Sequence, residues 1–334
     1  MLHSTVAVVG AGGLGGGIIE LLARQGVGHI IIIDSDCFSE TNLNRQLMST
    51  EKSLGEYKAI IAANRVKQVN SAVMVTPYTE RVTPENAHNL LGGARVVVDG
   101  LDNLPSRFVV EEAARNLGIP FVYGAVAGFS GQLMTIFPED KGLSSIFDPS
   151  GDLSTQGVEL EIGIPSATPA MVMAWQVQEV IKLITGVGKP LRNRLLWLEA
   201  EQGTTGVIKL GQKTRKRGEI VSRVGQKASI TICFHGLLSL KLAVESLPLE
   251  ADNCGEALDY LEEKFGPQFR EQFHQFRVSR WDAEGKIVTG YVSGRLEDFC
   301  LLLLNGRKVD NRNLRQAKLR GGDTLDIFPP SAGG

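Results

Sequence analysis

The first half of the chain alternates short β-branched segments with segments of helical periodicity, and this alternation restricts the fold more than any other feature. Strands are predicted over residues 6–9, 29–33, 73–77, 95–99, 121–124 and 133–137, and helices over 14–25, 58–69, 111–117 and 169–185. Parallel strands joined by crossover helices give this pattern, because helices then cover both faces of the sheet. We therefore predict an α/β fold with a doubly wound sheet.

A change in composition divides the chain. Residues 211–228, with KTRKRGE at their centre, contain few apolar side chains and are interpreted as a solvated linker. Beyond them, strands over 229–234, 288–291, 301–304 and 324–328 and a helix over 254–265 predict a second, smaller α+β domain. The length of 334 residues also exceeds what one hydrophobic core normally supports. We therefore predict domains over residues 1–210 and 229–334.

The charge and the cysteines exclude several classes of function. A net charge of −2 gives no reason to expect nucleic acid or an anionic membrane as a partner. Apolar runs such as 30–33 are too short to span a bilayer, and the N-terminus lacks signal-peptide features, so we expect a cytoplasmic protein. The 4 cysteines are scattered, without the close pairs typical of zinc sites, and no zinc is expected.

A glycine-rich segment, GAGGLGGG, follows the first strand and opens the first helix. Gly10, Gly12, Gly13 and Gly15 allow a tight turn that brings backbone N–H groups close to a phosphate at the helix N-terminus. Asp34 ends the next strand, where an acidic side chain can bind ribose hydroxyls. This Rossmann-like fingerprint predicts a nucleotide site. By itself it leaves NAD, and hence an oxidoreductase, open.

The residues after Asp34 favour a polyphosphate instead. Arg45 and Lys58 follow the glycine-rich segment, and such cations stabilise charge that develops on phosphoryl oxygens, whereas hydride transfer needs no such pair. Asp102, in DGLDN after the fourth strand, lies at the carboxyl edge of the sheet and can bind Mg²⁺; a turn or helix-capping role is the alternative. Three further residues are candidates for nucleotide binding: Asp36, Asn42 and Gln46.

These motifs resemble one enzyme family. GAGGLG, the stretch from IIDSD to NLNRQ, GEYK and DGLDN are similar to the ThiF/MoeB/HesA adenylyltransferases, relatives of the ubiquitin-activating enzymes, over residues 5–210. The resemblance implies that ATP and Mg²⁺ are used to adenylate the C-terminal glycine of a ubiquitin-like sulfur carrier. It also implies that Asp34 binds the ribose and Asp102 binds Mg²⁺, and that the triphosphate is bound by Asn42, Arg45, Gln46 and Lys58.

The C-terminal part resembles the substrate of that reaction. The chain finishes IFPPSAGG, and residues 228–334 are similar to the sulfur carriers MoaD and ThiS, which close with a strand and a Gly-Gly tail. The resemblance implies a ubiquitin-like (β-grasp) domain whose Gly334 carboxylate is adenylated. Residues 276–298 are interpreted as an insertion relative to a minimal carrier. We expect the enzyme to act on its own tail, in cis or in trans, or on a free carrier.

Differences from the family bear on the partners. The chain begins at its first strand, without the N-terminal arm whose arginine reaches a neighbouring subunit's ATP in many relatives; we still expect a homodimer. The segment SSIFDPSGDLSTQG lacks the family's zinc-binding cysteines and offers no thiol for a thioester, so we expect a separate sulfur donor protein to follow the adenylate. Molybdenum or tungsten cofactor and thiamine synthesis are alternative pathways, and a non-catalytic carrier or scaffold is the alternative function.

Overall fold

The computed structural model describes residues 1–147, 164–201, 203–210, 227–235, 242, 244, 246–271, 276–281, 287–292, 301–310 and 313–328. These residues form two compact units: the described residues of the first lie within 1–144 and 149–208, and those of the second within 145–148 and 209–330. Most of the predicted linker, the segment 148–163 and Gly334 lie outside the described residues. The domain boundaries drawn from the sequence therefore stay predictions.

A mixed eight-stranded sheet forms the centre of the first unit. The strands are β1 (Thr5–Val9), β2 (His29–Ile33), β3 (Met74–Tyr78), β4 (Val96–Asp99), β5 (Phe121–Ala127), β6 (Ser130–Ile136), β7 (Arg194–Glu199) and β8 (Thr204–Lys209). Their order is β3-β2-β1-β4-β5-β6-β7-β8. All pairs from β3 to β5 are parallel, whereas β6 is antiparallel to both β5 and β7. The predicted doubly wound α/β sheet is confirmed.

Helices cover this sheet. They are α1 (Gly15–Arg24), α2 (Lys58–Val69), α3 (Ala87–Leu91), α4 (Leu104–Asn116) and α5 (Ala167–Thr185). Helix α1 packs against α2 and α5, and α3 packs against α4. Every residue of β4 and β5 is buried, as expected for strands that are covered on both faces.

Local sequence signals explain where the helices begin and end. The side chain of Asn103 accepts the Ser106 N–H at the start of α4, and Pro105 occupies the first turn, where its missing N–H costs little. Helix α4 therefore begins well before the segment 111–117 predicted from periodicity. Helix α5 ends at Gly186, whose φ of +71° is the left-handed conformation that glycine adopts readily.

The strand order reverses at β1, and this reversal creates a crevice. From β1 the chain moves through α1 to β2 on one side, and β4 leads through α4 to β5 on the other. In such sheets, ligands bind at the carboxyl ends of the strands that flank the reversal. Gly10 follows β1 and Gly100 follows β4, so the glycine-rich turn and the DGLDN loop meet there.

The second unit contains a five-stranded sheet and a separate hairpin. Its elements are β9 (Ala228–Phe234), β10 (Ser246–Ala251), α6 (Cys254–Glu271), β11 (Phe276–Trp281), β12 (Ile287–Val292), β13 (Leu301–Leu304), β14 (Arg307–Lys308) and β15 (Thr324–Phe328). The main sheet has the order β10-β9-β15-β13-β14, with β9 and β15 parallel at its centre and the other pairs antiparallel. This mixed sheet, with α6 packed beside β10, confirms the predicted α+β (β-grasp) domain.

Two parts of the second unit differ from the sequence prediction. Residues 246–251, for which no strand was predicted, form β10, which pairs with β9 along its full length. The predicted insertion contains a hairpin, in which Phe276 pairs with Val292 and Trp281 with Ile287. Within the described ranges, no helix combines the length and apolar character needed to cross a bilayer.

Candidate nucleotide-binding site

The glycine-rich turn after β1 is packed backbone to backbone against the loop after β4. Gly10 has a φ of +94°, and a Cβ atom there would lie 2.3 Å from the Gly100 carbonyl oxygen. A Cβ atom on Gly15, the first residue of α1, would lie 1.8 Å from the Gly10 carbonyl oxygen. Because neither position tolerates a side chain, the shape of the turn depends on glycine at both.

The turn is more open at Gly12. The nearest atom to a Cβ placed there is Nε2 of Gln46, at 3.6 Å, which is an ordinary contact. Gln46 is buried, and its Oε1 has no hydrogen-bond partner among the residues that the structure describes. Since buried polar atoms are normally paired, this oxygen is a candidate acceptor for a ligand beside the turn. Gly13, which is also buried, follows Gly12 and lies two residues before the start of α1.

Asp34, at the end of β2, reaches the same turn. Its Oδ2 accepts the Ala11 N–H at 2.6 Å, and its Oδ1 accepts the Asp36 N–H at 2.8 Å. Burial raises the pKa of Asp34, and the Ala11 N–H and the Lys58 charge oppose that rise. Each carboxylate oxygen keeps a lone pair, so Asp34 can accept hydrogen bonds from ribose hydroxyls while it holds the turn.

Lys58 and Asp36 form an ion pair. Lys58 is the first residue of α2, and its Nζ lies 3.1 Å from Oδ2 of Asp36. The Lys58 side chain is 9% exposed and that of Asp36 is 65% exposed. The Lys58 N–H also donates to the Asp36 carbonyl oxygen at 2.9 Å. Asp36 therefore holds the lysine, a contact that the sequence prediction of a nucleotide-binding aspartate did not include.

Asn42 and Arg45 belong to the segment between β2 and α2. Asn42 is buried, and its Oδ1 accepts the Ser39 N–H at 3.0 Å, so this side chain shapes the segment. Arg45 Nη1 donates to the Thr41 carbonyl oxygen at 3.2 Å and to Asn44 Oδ1 at 3.0 Å. Its Nε is buried and has no partner in the described part of the chain. The Arg45 guanidinium therefore keeps a donor for an anion.

Asp102 lies on the loop between β4 and α4. It is exposed, and its Oδ1 accepts Asn103 Nδ2 at 3.0 Å. Among the described residues, no three His, Cys, Asp or Glu side chains group into a metal site. Mg²⁺ usually binds proteins through one or two carboxylates and completes its shell with water and substrate phosphates. A single exposed carboxylate beside a nucleotide turn fits Mg²⁺ that arrives with ATP.

Sequence reasoning missed three buried polar residues below this loop. Asp99 and Arg107 are both fully buried, and Arg107 Nε lies 2.8 Å from Asp99 Oδ2. Gln176, on α5, donates to the Asp99 carbonyl oxygen at 2.8 Å. Burial raises the pKa of Asp99, and the Arg107 charge opposes that rise. The available signal was an aspartate at the end of an apolar strand with an arginine in the first turns of the next helix.

Two family models match the chain in sequence. The model of the ThiF family matches residues 1–219, and the model of the ThiS family matches residues 239–334. The SAMP-activating enzyme E1 of Haloferax volcanii is 36% identical over 200 residues, which cover 60% of this chain and 74% of that protein. The sulfur carrier protein adenylyltransferase of Thermus thermophilus is 35% identical over 207 residues, which cover 59% and 75%.

Other similarities cover less of the relative. The probable adenylyltransferase/sulfurtransferase MoeZ of Mycobacterium tuberculosis is 35% identical over 230 residues, which cover 66% of this chain and 58% of that protein. Among solved structures, E. coli MccB with ATP superimposes with a TM-score of 0.53 at 20% identity, covering 64% of this chain and 65% of MccB. At that identity the likeness concerns the fold.

Proposed function

This chain belongs to the ThiF family, and from that membership we propose that it is an adenylyltransferase that uses ATP with Mg²⁺ to adenylate the C-terminal glycine of a ubiquitin-like sulfur carrier. Relatives named for sulfur carrier adenylation and SAMP activation support this reaction. The ThiS match at residues 239–334 supports the substrate we propose, because this family match includes Gly334.

The observation that carries the proposal is a set of polar and charged side chains on the glycine-rich turn and on the segments that follow β2. Gln46 Oε1 and Arg45 Nε are buried without partners among the described residues, and Lys58 is held at the start of α2. Asp34 supplies carboxylate oxygens at the turn itself. A nucleoside triphosphate has the ribose hydroxyls and the anionic oxygens that these groups can bind, and phosphates leave during its reaction, whereas hydride transfer to or from a nicotinamide needs no such pair of cations.

The proposed reaction converts a poor acyl donor into a good one. One carboxylate oxygen of Gly334 bonds to the α-phosphorus of ATP while the bond from that phosphorus to the bridging oxygen breaks. Pyrophosphate leaves with the electron pair, and the product is an acyl-adenylate. Arg45 and Lys58 stabilise the charge that builds up on the leaving phosphates, and positioned cations of this kind supply much of the rate of phosphoryl transfer.

Asp102 has a separate role in this proposal. Its carboxylate would hold Mg²⁺ in the ATP complex, where the ion would supply positive charge to the phosphate oxygens. Asp34 fixes the ribose, so that the α-phosphate is presented at the crevice. Asn42 holds the segment that carries Arg45 and Gln46 in its folded shape.

The partners follow from the same chemistry. Sulfide delivered by a sulfur donor protein would attack the acyl carbon of the adenylate, AMP would leave with its oxygen, and Gly334 would end in a thiocarboxylate. The product then supplies sulfur to a biosynthetic step, in molybdenum or tungsten cofactor or thiamine synthesis. We also propose that the protein acts as a homodimer in the cytoplasm.

Two measurements on the full chain test the function. Incubation with ATP and Mg²⁺ should give ATP–pyrophosphate exchange, and intact-mass analysis should find AMP added to the C-terminal peptide. Arg45→Ala should lower exchange by about 10²- to 10³-fold without loss of fold. The matched control is Arg24→Ala, since Arg24 pairs with Glu20 on the surface of α1.

Other outcomes contradict the proposal. Exchange that is absent with the chain's own tail and with every added free carrier would favour a non-catalytic carrier or scaffold. Near-normal exchange by Arg45→Ala would refute the role of that residue. Protection from thermal unfolding by NADH, but not by ATP with Mg²⁺, would favour an oxidoreductase.

A further inference from the structure

Strands β4 and β5 separate before they reach the carboxyl edge of the sheet. Their parallel register contains the pairs Val97 with Phe121 and Val98 with Val122, and it does not extend to Asp99. Past that point, backbone groups of the two strands bond to side chains. The Gly124 N–H donates to Asp99 Oδ2 at 3.4 Å, and the Gly124 carbonyl oxygen accepts from Arg107 Nη2 at 3.3 Å.

The end of β4, at Asp99, is also bonded to a side chain rather than to the neighbouring strand. The Asp99 carbonyl oxygen accepts Gln176 Nε2, and a Cβ on Gly124 would lie 2.4 Å from the Gln176 side chain. Arg107 comes from α4 and Gln176 from α5. Where β4 and β5 separate, hydrogen bonds from side chains of two helices therefore take the place of backbone hydrogen bonds between the strands. The DGLDN loop begins at this point.

The same buried ion pair reaches the loop itself. Oδ1 of Asp99 accepts the Leu101 N–H at 2.9 Å, and Arg107 Nη2 donates to the Leu101 carbonyl oxygen at 2.5 Å. That carbonyl belongs to the peptide that joins Leu101 to Asp102. The backbone on both sides of Leu101 is thus fixed from inside the protein by one carboxylate and one guanidinium.

The opposite side of the loop is also fixed. The Gly100 N–H donates to the Val9 carbonyl oxygen at 2.7 Å, and a Cβ on Gly100 would lie 2.6 Å from the Gly10 carbonyl oxygen. The loop is therefore held between the glycine-rich turn and the Asp99–Arg107 pair. Asp102 is the first exposed residue after this clamped segment.

Stability alone gives a weak reason for such a pair. Both partners are 0% exposed, and a buried ion pair is frequently no more stable than apolar residues of similar volume. Arg107 Nη1 is also buried without a partner among the described residues, which is a further cost. What an arginine provides, and a point charge does not, is a planar fork that bonds two acceptors in fixed directions. Here Nε bonds Asp99, and Nη2 bonds the Leu101 carbonyl and, at 3.3 Å, the Gly124 carbonyl.

We propose that Arg107 is a positioning residue for Mg²⁺ in the ATP complex: with Asp99, it fixes the backbone that aims Asp102 at the nucleotide. The inference rests on the proposed function, since it assigns the Mg²⁺-binding role to Asp102. Partners that orient a metal ligand typically contribute about 10- to 100-fold in metal affinity or activity.

The test separates the Mg²⁺-dependent part of ATP binding from the rest. ATP affinity of the full chain is measured by calorimetry with Mg²⁺ and again in EDTA, for wild type and Arg107→Lys. Lysine keeps the charge, but its single nitrogen does not reproduce the planar arrangement in which Nε bonds Asp99 and Nη2 bonds the Leu101 carbonyl. The quantity compared is the ratio of the ATP affinity with Mg²⁺ to the ATP affinity in EDTA. We expect this ratio to be lower in Arg107→Lys than in wild type by about 10-fold or more, with the affinity in EDTA unchanged.

The matched control is Arg115→Lys on the same helix. Arg115 bonds to Glu111 and to the Asp140 carbonyl oxygen, and no hydrogen bond to the DGLDN loop is found for it among the described residues. Its substitution should leave the Mg²⁺-dependent gain as in wild type. A role of Arg107 in stability alone would lower the melting temperature without changing that gain, and this result would overturn the proposal.

A second variant covers the case in which Arg107→Lys does not fold. In Asp99→Asn/Arg107→Met, the charges are removed together and the Leu101 N–H keeps an acceptor, while the donor to the Leu101 and Gly124 carbonyls is lost. The same loss of Mg²⁺-dependent affinity is expected. An unchanged gain, or failure of both variants to fold, would overturn the proposal. If wild type itself binds ATP equally with and without Mg²⁺, the proposed role of Asp102 is wrong before any variant is compared.

Discussion

The Lys58 ammonium lies 3.1 Å from the Asp36 carboxylate, and the two side chains differ in solvent exposure: 9% of the lysine side chain is exposed and 65% of the aspartate side chain. A nearly buried cation is therefore neutralised by a surface carboxylate. Because the aspartate side of this pair faces solvent, the lysine can bind a second anion without first breaking its bond to Asp36. This arrangement suits a residue that contacts a triphosphate only while ATP is bound.

The role of Lys58 can be tested against another lysine of the same helix. Lys58→Ala should lower ATP–pyrophosphate exchange by about 10²- to 10³-fold, because a cation that stabilises the leaving phosphates is lost. Lys67→Ala, which changes an exposed residue in the last turn of α2, should leave exchange unchanged. A Lys58→Ala chain that exchanges within a few-fold of wild type would show that the lysine is structural.

Substitution of two glycines of the turn by alanine should affect different properties, stability for Gly10 and ATP binding for Gly12. Gly10→Ala places a Cβ 2.3 Å from a backbone oxygen at a φ of +94°, so the free energy of unfolding should fall by about 1 to 3 kcal/mol or more. Gly12→Ala meets nothing closer than 3.6 Å, so its stability should stay near that of wild type while ATP binding weakens. Urea unfolding and calorimetry measure the two effects. Normal ATP affinity in Gly12→Ala would place the phosphates elsewhere.

Asp34 should make stability depend on pH. Burial raises its pKa in the folded state above the ordinary value of 3.8, so the folded chain binds more protons than the unfolded chain between those two values. Stability from this group is therefore lost as pH rises through that window. Asp34→Asn cannot titrate, so its stability relative to wild type should increase across the window and then level off. Urea unfolding from about pH 4 to pH 7 measures it, and parallel curves would contradict the assignment.

The C-terminal glycines should be needed for adenylation and not for ATP binding. Deletion of Gly333 and Gly334 should abolish the AMP-sized mass gain while leaving ATP affinity and melting temperature unchanged. An AMP adduct on the shortened chain would place the acceptor elsewhere. Co-expression with an Arg45→Ala chain then distinguishes two routes, since an adenylated tail on the Arg45→Ala chain requires transfer between subunits.

Local patterns predicted the secondary structure well where one element produces its own signal. The strand His29–Ile33 and the helix Lys58–Val69 were predicted with the bounds that the structure shows, because an apolar β-branched run and an amphipathic period are properties of single segments. Strand β10 was missed, since SLPLEA carries a proline and alternates too briefly to stand out. It is recognised as a strand through its pairing with β9.

The sequence by itself determined the doubly wound sheet, the glycine-rich turn that needs Gly10, and the family to which the motifs belong. The order of strand and helix segments predicts the sheet, and the turn and the motifs depend on neighbours within short segments. The tertiary structure alone decided that Asp36 holds Lys58 and that Asp99, Arg107 and Gln176 meet where β4 and β5 part. Gln176 lies 77 residues beyond Asp99 in the chain. Such contacts depend on how helices pack across a sheet, so no local pattern encodes which distant polar groups will satisfy one another.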